Sequence, residues 1–229
     1  MRRLAADEHF VRDVVMNEEY AAAGYEITAR DLVVDIGGNI GSFTLYAAAK
    51  AHGGQVVSVE PIQDNYRLLV QNIKMNGFAN VLAKQAALVP RRKTVRVYFG
   101  TLGFGSHSIL PVLAQQSQRF EDVEGITLAN LFEEYQLPHC DFLKMDCEGA
   151  EFGILREMDL DLSRRISKLV VEYHTLPDRD KHEQAHELID RLVELGFTID
   201  RYTDVVGTNW GTIFARRLST RSARKRRGD

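Results

Sequence analysis

Short β-branched runs alternate with amphipathic segments along most of the 229 residues, and this alternation limits the fold more than any other feature. The runs at Leu32–Ile36, Gln55–Val59, 81–85, 141–145, 168–173, 197–201 and 212–216 read as strands. Most have apolar neighbours on both faces, as strands buried in a parallel sheet do. Segments 42–51, 64–75, 128–135, 149–158 and 181–195 read as helices between them. In the last of these, Ala185, Leu188, Ile189, Leu192 and Val193 share one face, and Gly196 stands where a helix-ending glycine does. Such alternation predicts an α/β fold with a mostly parallel sheet and helices on both faces. The final two strands follow one another without a helix, which predicts a terminal antiparallel hairpin. Segment 93–99 alternates, with Val95, Val97 and Phe99 against Thr94, Arg96 and Tyr98, and reads as an extra edge strand or hairpin arm. Segment 100–125 has no clear period and reads as a functional loop. An opening helix over 7–23 carries Phe10, Val11, Val14 and Val15.

Composition excludes several classes. At 45% hydrophobic and 27% charged, the chain can bury a core without staples, so it is not a disordered, collagen-like or disulfide-framed protein. Cys140 and Cys147 are too few for a framework and are not a C-x-x-C pair, so a reducing, cytoplasmic setting is expected. No apolar stretch approaches the roughly 20 residues of a membrane span. Met1-Arg2-Arg3 is not followed by the apolar run of a signal peptide. The last 14 residues hold seven Arg or Lys and one Asp, on a chain whose net charge is −3. A block of like charge usually stays solvated, so this end reads as a tail more than as a contact for nucleic acid or acidic lipid.

The sharpest local feature is Val33-Val34-Asp35-Ile36-Gly37-Gly38-Asn39-Ile40-Gly41, between the first strand and the first helix. Open α/β sheets bind ligands at the carboxyl ends of their strands, where strand order reverses. A glycine turn there lets backbone approach a ligand and directs N–H groups at it. The dinucleotide fingerprint needs glycine at 37, 39 and 42, and here Gly37, Asn39 and Ser42 stand, so that fingerprint fails. No phosphate-binding G-x-x-x-x-G-K-[ST] loop is present either. An acidic residue before the turn suits a cationic group, and Asp35 is placed to accept from an ammonium. The second strand ends in Glu60-Pro61, where a carboxylate can hold both ribose hydroxyls. A ribose and an ammonium-bearing tail together describe S-adenosylmethionine. Asp35, Gly37, Gly38, Asn39, Gly41, Glu60 and Pro61 are therefore candidate cofactor-binding residues, with Ala86 and Ala87 at the third strand's end expected against adenine.

Asp35 to Gly41, Val59-Glu60-Pro61, Asn72 and Asn76 resemble the FkbM family of methyltransferases. So does Phe142-Leu143-Lys144-Met145-Asp146-Cys147-Glu148-Gly149-Ala150-Glu151, close to that family's LK-[IM]-D-x-E-G-x-E signature, as does Val170-Val171-Glu172-Tyr173-His174. The resemblance covers about residues 25–217 and departs at Gly38, where the family usually has Ala. It implies a class I methyltransferase (Rossmann-like) fold, strand order 3-2-1-4-5-7-6, and O-methylation of a hydroxyl on a small molecule such as a sugar or polyketide-type product. The expected organisation is an N-terminal helix over 1–24, a methyltransferase domain over 25–217 and a basic tail over 218–229.

In a sheet of that order the fourth strand's end faces the transferred methyl group. Asp146 sits there, placed to orient the acceptor, bind the cofactor's amino-acid portion or hold a metal. Glu148-Gly149 reads as shaping the turn, and Glu151 suits the first turn of the next helix electrostatically. Methyl transfer needs an aligned nucleophile and a group that takes its proton. Asp146, His174 and His107 are the catalytic candidates, the last in a glycine-rich loop that could close over the site. Asp146, Glu172 and His174 also form a donor set at adjacent strand ends that permits Mg²⁺ without showing it.

Two other readings are weaker. His182-Glu183-Gln184-Ala185-His186 matches the zinc-hydrolase pattern H-E-x-x-H, but Ile189 breaks the extended form and no specific third ligand follows. A nucleic-acid protein led by the basic tail is disfavoured. The fourth strand ends in Asp146-Cys147-Glu148-Gly149, without the Asn/Asp-Pro-Pro-aromatic turn of enzymes that methylate base nitrogens, and no aromatics interleave with the tail's charges.

Overall fold

Adjacent residues of a strand point to opposite faces of its sheet, so a doubly apolar strand needs cover on both sides. A computed structural model describes residues 14, 20, 22–100, 107–114 and 118–218. Along them run β1 (Leu32–Ile36), α1 (Ser42–Lys50), β2 (Gln55–Val59), α2 (Gln63–Met75), β3 (Val81–Lys84), β4 (Ala87–Leu88), β5 (Lys93–Tyr98), β6 (Phe120–Ile126), α3 (Leu128–Glu134), β7 (Cys140–Asp146), α4 (Glu151–Glu157), α5 (Leu160–Arg164), β8 (Ile166–His174), α6 (Lys181–Glu194), β9 (Thr198–Asp204) and β10 (Trp210–Arg216). The opening helix expected over 7–23 falls mostly outside the described residues. The basic end from 219 onward and the loop over 101–106 lie wholly outside them.

The main sheet has seven strands in the order β3-β2-β1-β7-β8-β10-β9. Numbered among themselves, these are 3-2-1-4-5-7-6. All its pairings are parallel except those of β10, which runs antiparallel to both β8 and β9. Each face has its own core. Val33, Phe142 and Val170 pack with Phe43, Ala47 and Ala48 of α1, while their chain neighbours Val34, Leu143 and Val171 pack with Leu131 and Phe132 of α3, Ile154 of α4 and Leu188 of α6. This is the layered α/β arrangement that the alternation predicts.

The reading of 100–125 as loop needs correction at its end. Phe120–Ile126 is a strand, paired antiparallel with Lys93–Tyr98 and parallel with Ala87–Leu88 in a separate three-stranded sheet. Its charges conceal its period: Val123 and Ile126 are buried, while Asp122 and Glu124 face outward and pair with Arg96 and Arg92 at 2.9 and 2.8 Å. The arm expected over 93–99 is thus one half of this pair. Its Val97 is buried with Ala87, Val89 and Val123 in a small third core over the cavity described below.

Candidate active site

Strand order reverses beside β1, which has β2 on one side and β7 on the other. A crevice opens at the carboxyl ends of such strands. Here it is a partly open cavity lined by residues from several strand ends. Its wall takes Gly37 and Asn39 from the turn after β1, Glu60 and Pro61 after β2, Ala86 and Ala87 where β3 leads into β4, Asp146 at the end of β7 with Glu148 beyond it, and His107 from the segment after β5.

The glycine turn is held tightly. Gly37 and Gly38 both donate backbone N–H to Val59 O at 3.0 Å, and Asn72 Nδ2 donates to Ile40 O at 2.8 Å. Gly37 has φ +80, and a Cβ there would overlap the Asp146 backbone oxygen and reach 3.0 Å from its carbonyl carbon. Only glycine combines that dihedral with so close an approach. Asn39 is itself left-handed at φ 48, and its N–H donates to Glu60 Oε2 at 2.8 Å. The turn after β1 and the carboxylate after β2 thus form one unit.

Glu60 is buried and also accepts from Ile62 N at 2.9 Å and Asn65 Nδ2 at 3.3 Å. Burial raises its pKa to about 7 against the pull of these donors. Between the ordinary carboxylate value and about 7, the folded chain keeps a proton that the unfolded chain has lost. Stability from this group is therefore greatest at low pH and falls as pH rises through that window. Ligand affinity should run the other way, because an ionised carboxylate accepts two hydroxyl hydrogens and a protonated one does not. The dissociation constant of a ribose-bearing ligand should rise by up to about tenfold per pH unit below 7. Titration calorimetry from mildly acidic to mildly alkaline pH checks this, and a flat profile would count against it.

Three of the sequence candidates lie beneath the cavity rather than on its wall. Asp35 is fully buried, and its Oδ2 accepts from Thr44 Oγ1 at 2.6 Å and from Ser58 Oγ at 3.4 Å. The ammonium it meets is the chain's own, Lys144 Nζ at 3.5 Å from Oδ1. Gly38 is backed by Ser58, and Gly41 starts α1 at φ 99 against Leu69. Burial would lower the Lys144 pKa, but Asp146 and Asp35 hold it above the usual lysine range. Lys144 also donates to Gly37 O at 3.0 Å. It therefore ties β7 to the turn.

At the other end of the cavity, Asp146 Oδ2 lies 3.4 Å from Lys144 Nζ, while its Oδ1 is buried without a hydrogen-bond partner. Glu148, read from sequence as a turn former, does shape the turn at φ 52, followed by Gly149 at φ 103. Its side chain also reaches the cavity. Burial raises the Glu148 pKa. His174 stands behind it, with Nε2 3.4 Å from Glu148 Oε2 and Nδ1 3.5 Å from Glu151 Oε1. Burial lowers the His174 pKa, but Glu151 and Glu148 outweigh it and leave the value raised. Glu151, beyond favouring its helix, accepts from Cys147 N and Gly149 N, both at 2.8 Å. Glu172 differs from the expected donor set: its Oε1 is 3.7 Å from His174, but Oε2 accepts from Tyr20 at 3.1 Å. The donor atoms that come together belong instead to Asp146, Glu148 and His174.

His107 is on the wall, and its Nδ1 accepts from Gly100 N at 3.2 Å, which places the ring proton on Nε2. Sequence reasoning missed Asn65, Val97 and Ile109, which also line the cavity. The alternation around Val97 was the available signal for one of them. The H-E-x-x-H residues lie elsewhere: His182 is exposed with Nδ1 3.6 Å from Asp204, His186 packs near Tyr202, and Gln184 between them is buried against Leu176.

A family model described as "Methyltransferase FkbM domain" matches residues 35–199. The chain is similar to the AMB antimetabolite synthetase AmbE of Pseudomonas aeruginosa, 24% identical over 87% of this chain and 11% of the synthetase. It is also similar to the 31-O-demethyl-FK506 methyltransferase FkbM of Streptomyces tacrolimicus, 24% identical over 91% of this chain and 89% of that protein. Among solved structures, the methyltransferase FkbM of Methylobacillus flagellatus superposes with a TM-score of 0.56 at 14% identity, covering 83% of this chain and 44% of the other. The chain therefore spans about a tenth of the synthetase and under half of that solved chain.

Proposed function

This chain belongs to the FkbM methyltransferase family, whose cofactor is S-adenosylmethionine, and we propose that it methylates a hydroxyl oxygen of a small molecule. The observation that carries this reading is the pairing of Glu60 with the Asn39 amide on the wall that also bears Asp146. Glu60 is placed to accept both ribose hydroxyls, Ala86 and Ala87 to lie against the base, and the Gly37–Asn39 turn to pass beneath the cofactor. The methyl group then faces Asp146 and Glu148.

Transfer is a displacement. The acceptor oxygen forms a bond to the methyl carbon, the carbon–sulfur bond breaks, and its electron pair stays on sulfur as S-adenosylhomocysteine. The acceptor's proton passes to a carboxylate, for which Asp146 is the group in place. His107, a neutral imidazole on the wall, helps to position the acceptor. That the acceptor is a small molecule with a hydroxyl is supported by the Streptomyces relative, which is named for an O-demethyl substrate.

The test is calorimetric titration with S-adenosylhomocysteine, followed by transfer of labelled methyl to a panel of hydroxyl acceptors. Wild-type protein should bind, and Glu60→Ala should bind about 100-fold more weakly, as expected for two hydrogen bonds to a charged group. Glu60→Gln, which keeps the size and loses the charge, should fall between. Nuclear magnetic resonance of the product should place the methyl on oxygen. A folded wild-type protein that ignores S-adenosylhomocysteine would sink the cofactor assignment, and a methyl found on nitrogen would sink the O-methyl one.

A further inference from the structure

We propose that Asp146, Glu148 and His174 form a binding site for a divalent metal ion at the carboxyl ends of β7 and β8. One ligand atom from each residue lies within 4.8 Å of the others, and His174 Nε2 is 3.4 Å from Glu148 Oε2. An octahedral ion bound at about 2.1 Å spaces adjacent donors about 3 Å apart, so small side-chain rotations complete the set.

His174 provides the independent support. It is 6% exposed, and its Nδ1 has no hydrogen-bond partner. Nδ1 nevertheless faces Glu151, a fully buried carboxylate fixed by two backbone amides, while Nε2 faces Glu148. Metal-binding histidines are oriented in this way, one nitrogen toward a carboxylate and the other toward the ion. Asp146 likewise pairs one oxygen with Lys144 and keeps the other buried without a partner. Five carboxylates, those of Asp35, Asp146, Glu148, Glu151 and Glu172, converge here on two basic side chains, Lys144 and His174. A divalent ion relieves that excess. The imidazolium form of His174 and the ion are alternative partners for the same carboxylates.

Two carboxylates and one imidazole suit a six-coordinate first-row ion such as Mn²⁺, which accepts both oxygen and nitrogen. The nitrogen- and sulfur-rich tetrahedral sets of structural zinc do not resemble this one. Asp146 and Glu148 also line the cavity, so an ion here would have open positions toward an acceptor hydroxyl and would lower its pKa. That role rests on the methyl-transfer reading, whereas the site itself does not.

The experiment is titration of the chelator-treated full chain with Mn²⁺, read by electron paramagnetic resonance, with S-adenosylhomocysteine calorimetry in parallel. One Mn²⁺ should bind per chain, and pulsed spectra should show coupling to an imidazole nitrogen in the wild-type protein. Glu148→Gln and His174→Ala should each weaken Mn²⁺ at least about tenfold while keeping the circular dichroism spectrum of the folded wild-type chain. Absence of bound Mn²⁺ at millimolar metal, with S-adenosylhomocysteine still bound, would overturn the metal site and leave the cofactor reading intact. Binding without nitrogen coupling would also overturn it. Mn²⁺ bound by a protein that ignores S-adenosylhomocysteine would support the site and remove the methyl-transfer reading instead.

Discussion

Gly37→Ala is expected to be the most damaging Gly→Ala change among the described residues, destabilising the chain by about 2–5 kcal/mol. Two costs add. A left-handed φ of +80 costs an L-residue roughly 1–2 kcal/mol. The new Cβ would also overlap the Asp146 backbone oxygen, and a forced contact in a packed interior costs about 1–3 kcal/mol. The clash is with backbone, so β1 and β7 must part at the end where the cavity lies. Gly207 supplies the control. It has the same φ of +80 with no atom within 4 Å of an added Cβ, so Gly207→Ala should show the dihedral cost alone. Urea denaturation of both variants, beside S-adenosylhomocysteine titration, separates the terms. Equal destabilisation in the two would mean that the approach of Asp146 to the turn is not as close as described.

Asp146→Asn should lower kcat by about 10²–10⁴ and leave the S-adenosylhomocysteine dissociation constant within about tenfold of wild type. The amide keeps the shape at the end of β7, and Lys144 keeps Asp35 and the Gly37 carbonyl as partners. What is lost is the charge, and with it the capacity to receive the acceptor's proton or to ligate an ion. Steady-state kinetics with a competent acceptor gives the first number and calorimetry the second. A kcat within a few-fold of wild type would remove Asp146 from the chemistry, while a large affinity loss with little change in kcat would reassign it to cofactor binding.

Much of the fold is legible in the sequence. The bounds of β1 and β2 are legible because each β-branched run adjoins a glycine pair, Gly37-Gly38 after β1 and Gly53-Gly54 before β2, and the FkbM-like motifs carry the strand order. The sequence puts Glu60, Asn39 and Ala86 at the ends of parallel strands, and the structure has all three on the cavity wall. The remainder depended on contacts distant in sequence. Phe120–Ile126 did not read as a strand, because its period appears only when Arg96 and Arg92 neutralise Asp122 and Glu124. Asp35 reads in the sequence as a partner for a ligand's ammonium, but the fold buries it against the chain's own Lys144. Which ammonium it meets was decided by Lys144, 109 residues on, in the Asp35↔Lys144 register of β1 with β7. Glu148 reads as a turn residue and is one, but its reach toward His174 requires β8 to run two residues past the end of β7, as the Asp146↔Glu172 register places them.

The insertion of β10 between β8 and β9 bears on how the chain is synthesised. During translation β9 emerges before its sheet partner, and β8 waits with one side open. That side, Ile166–His174, is a β-branched edge of the kind that templates pairing with other chains. A ribosome adding about 5–20 residues per second needs roughly 2–8 s to go from His174 to Arg216. For that interval the growing polypeptide carries an unguarded edge. A product cut short before Trp210 would carry it permanently, with β9 left without a partner as well.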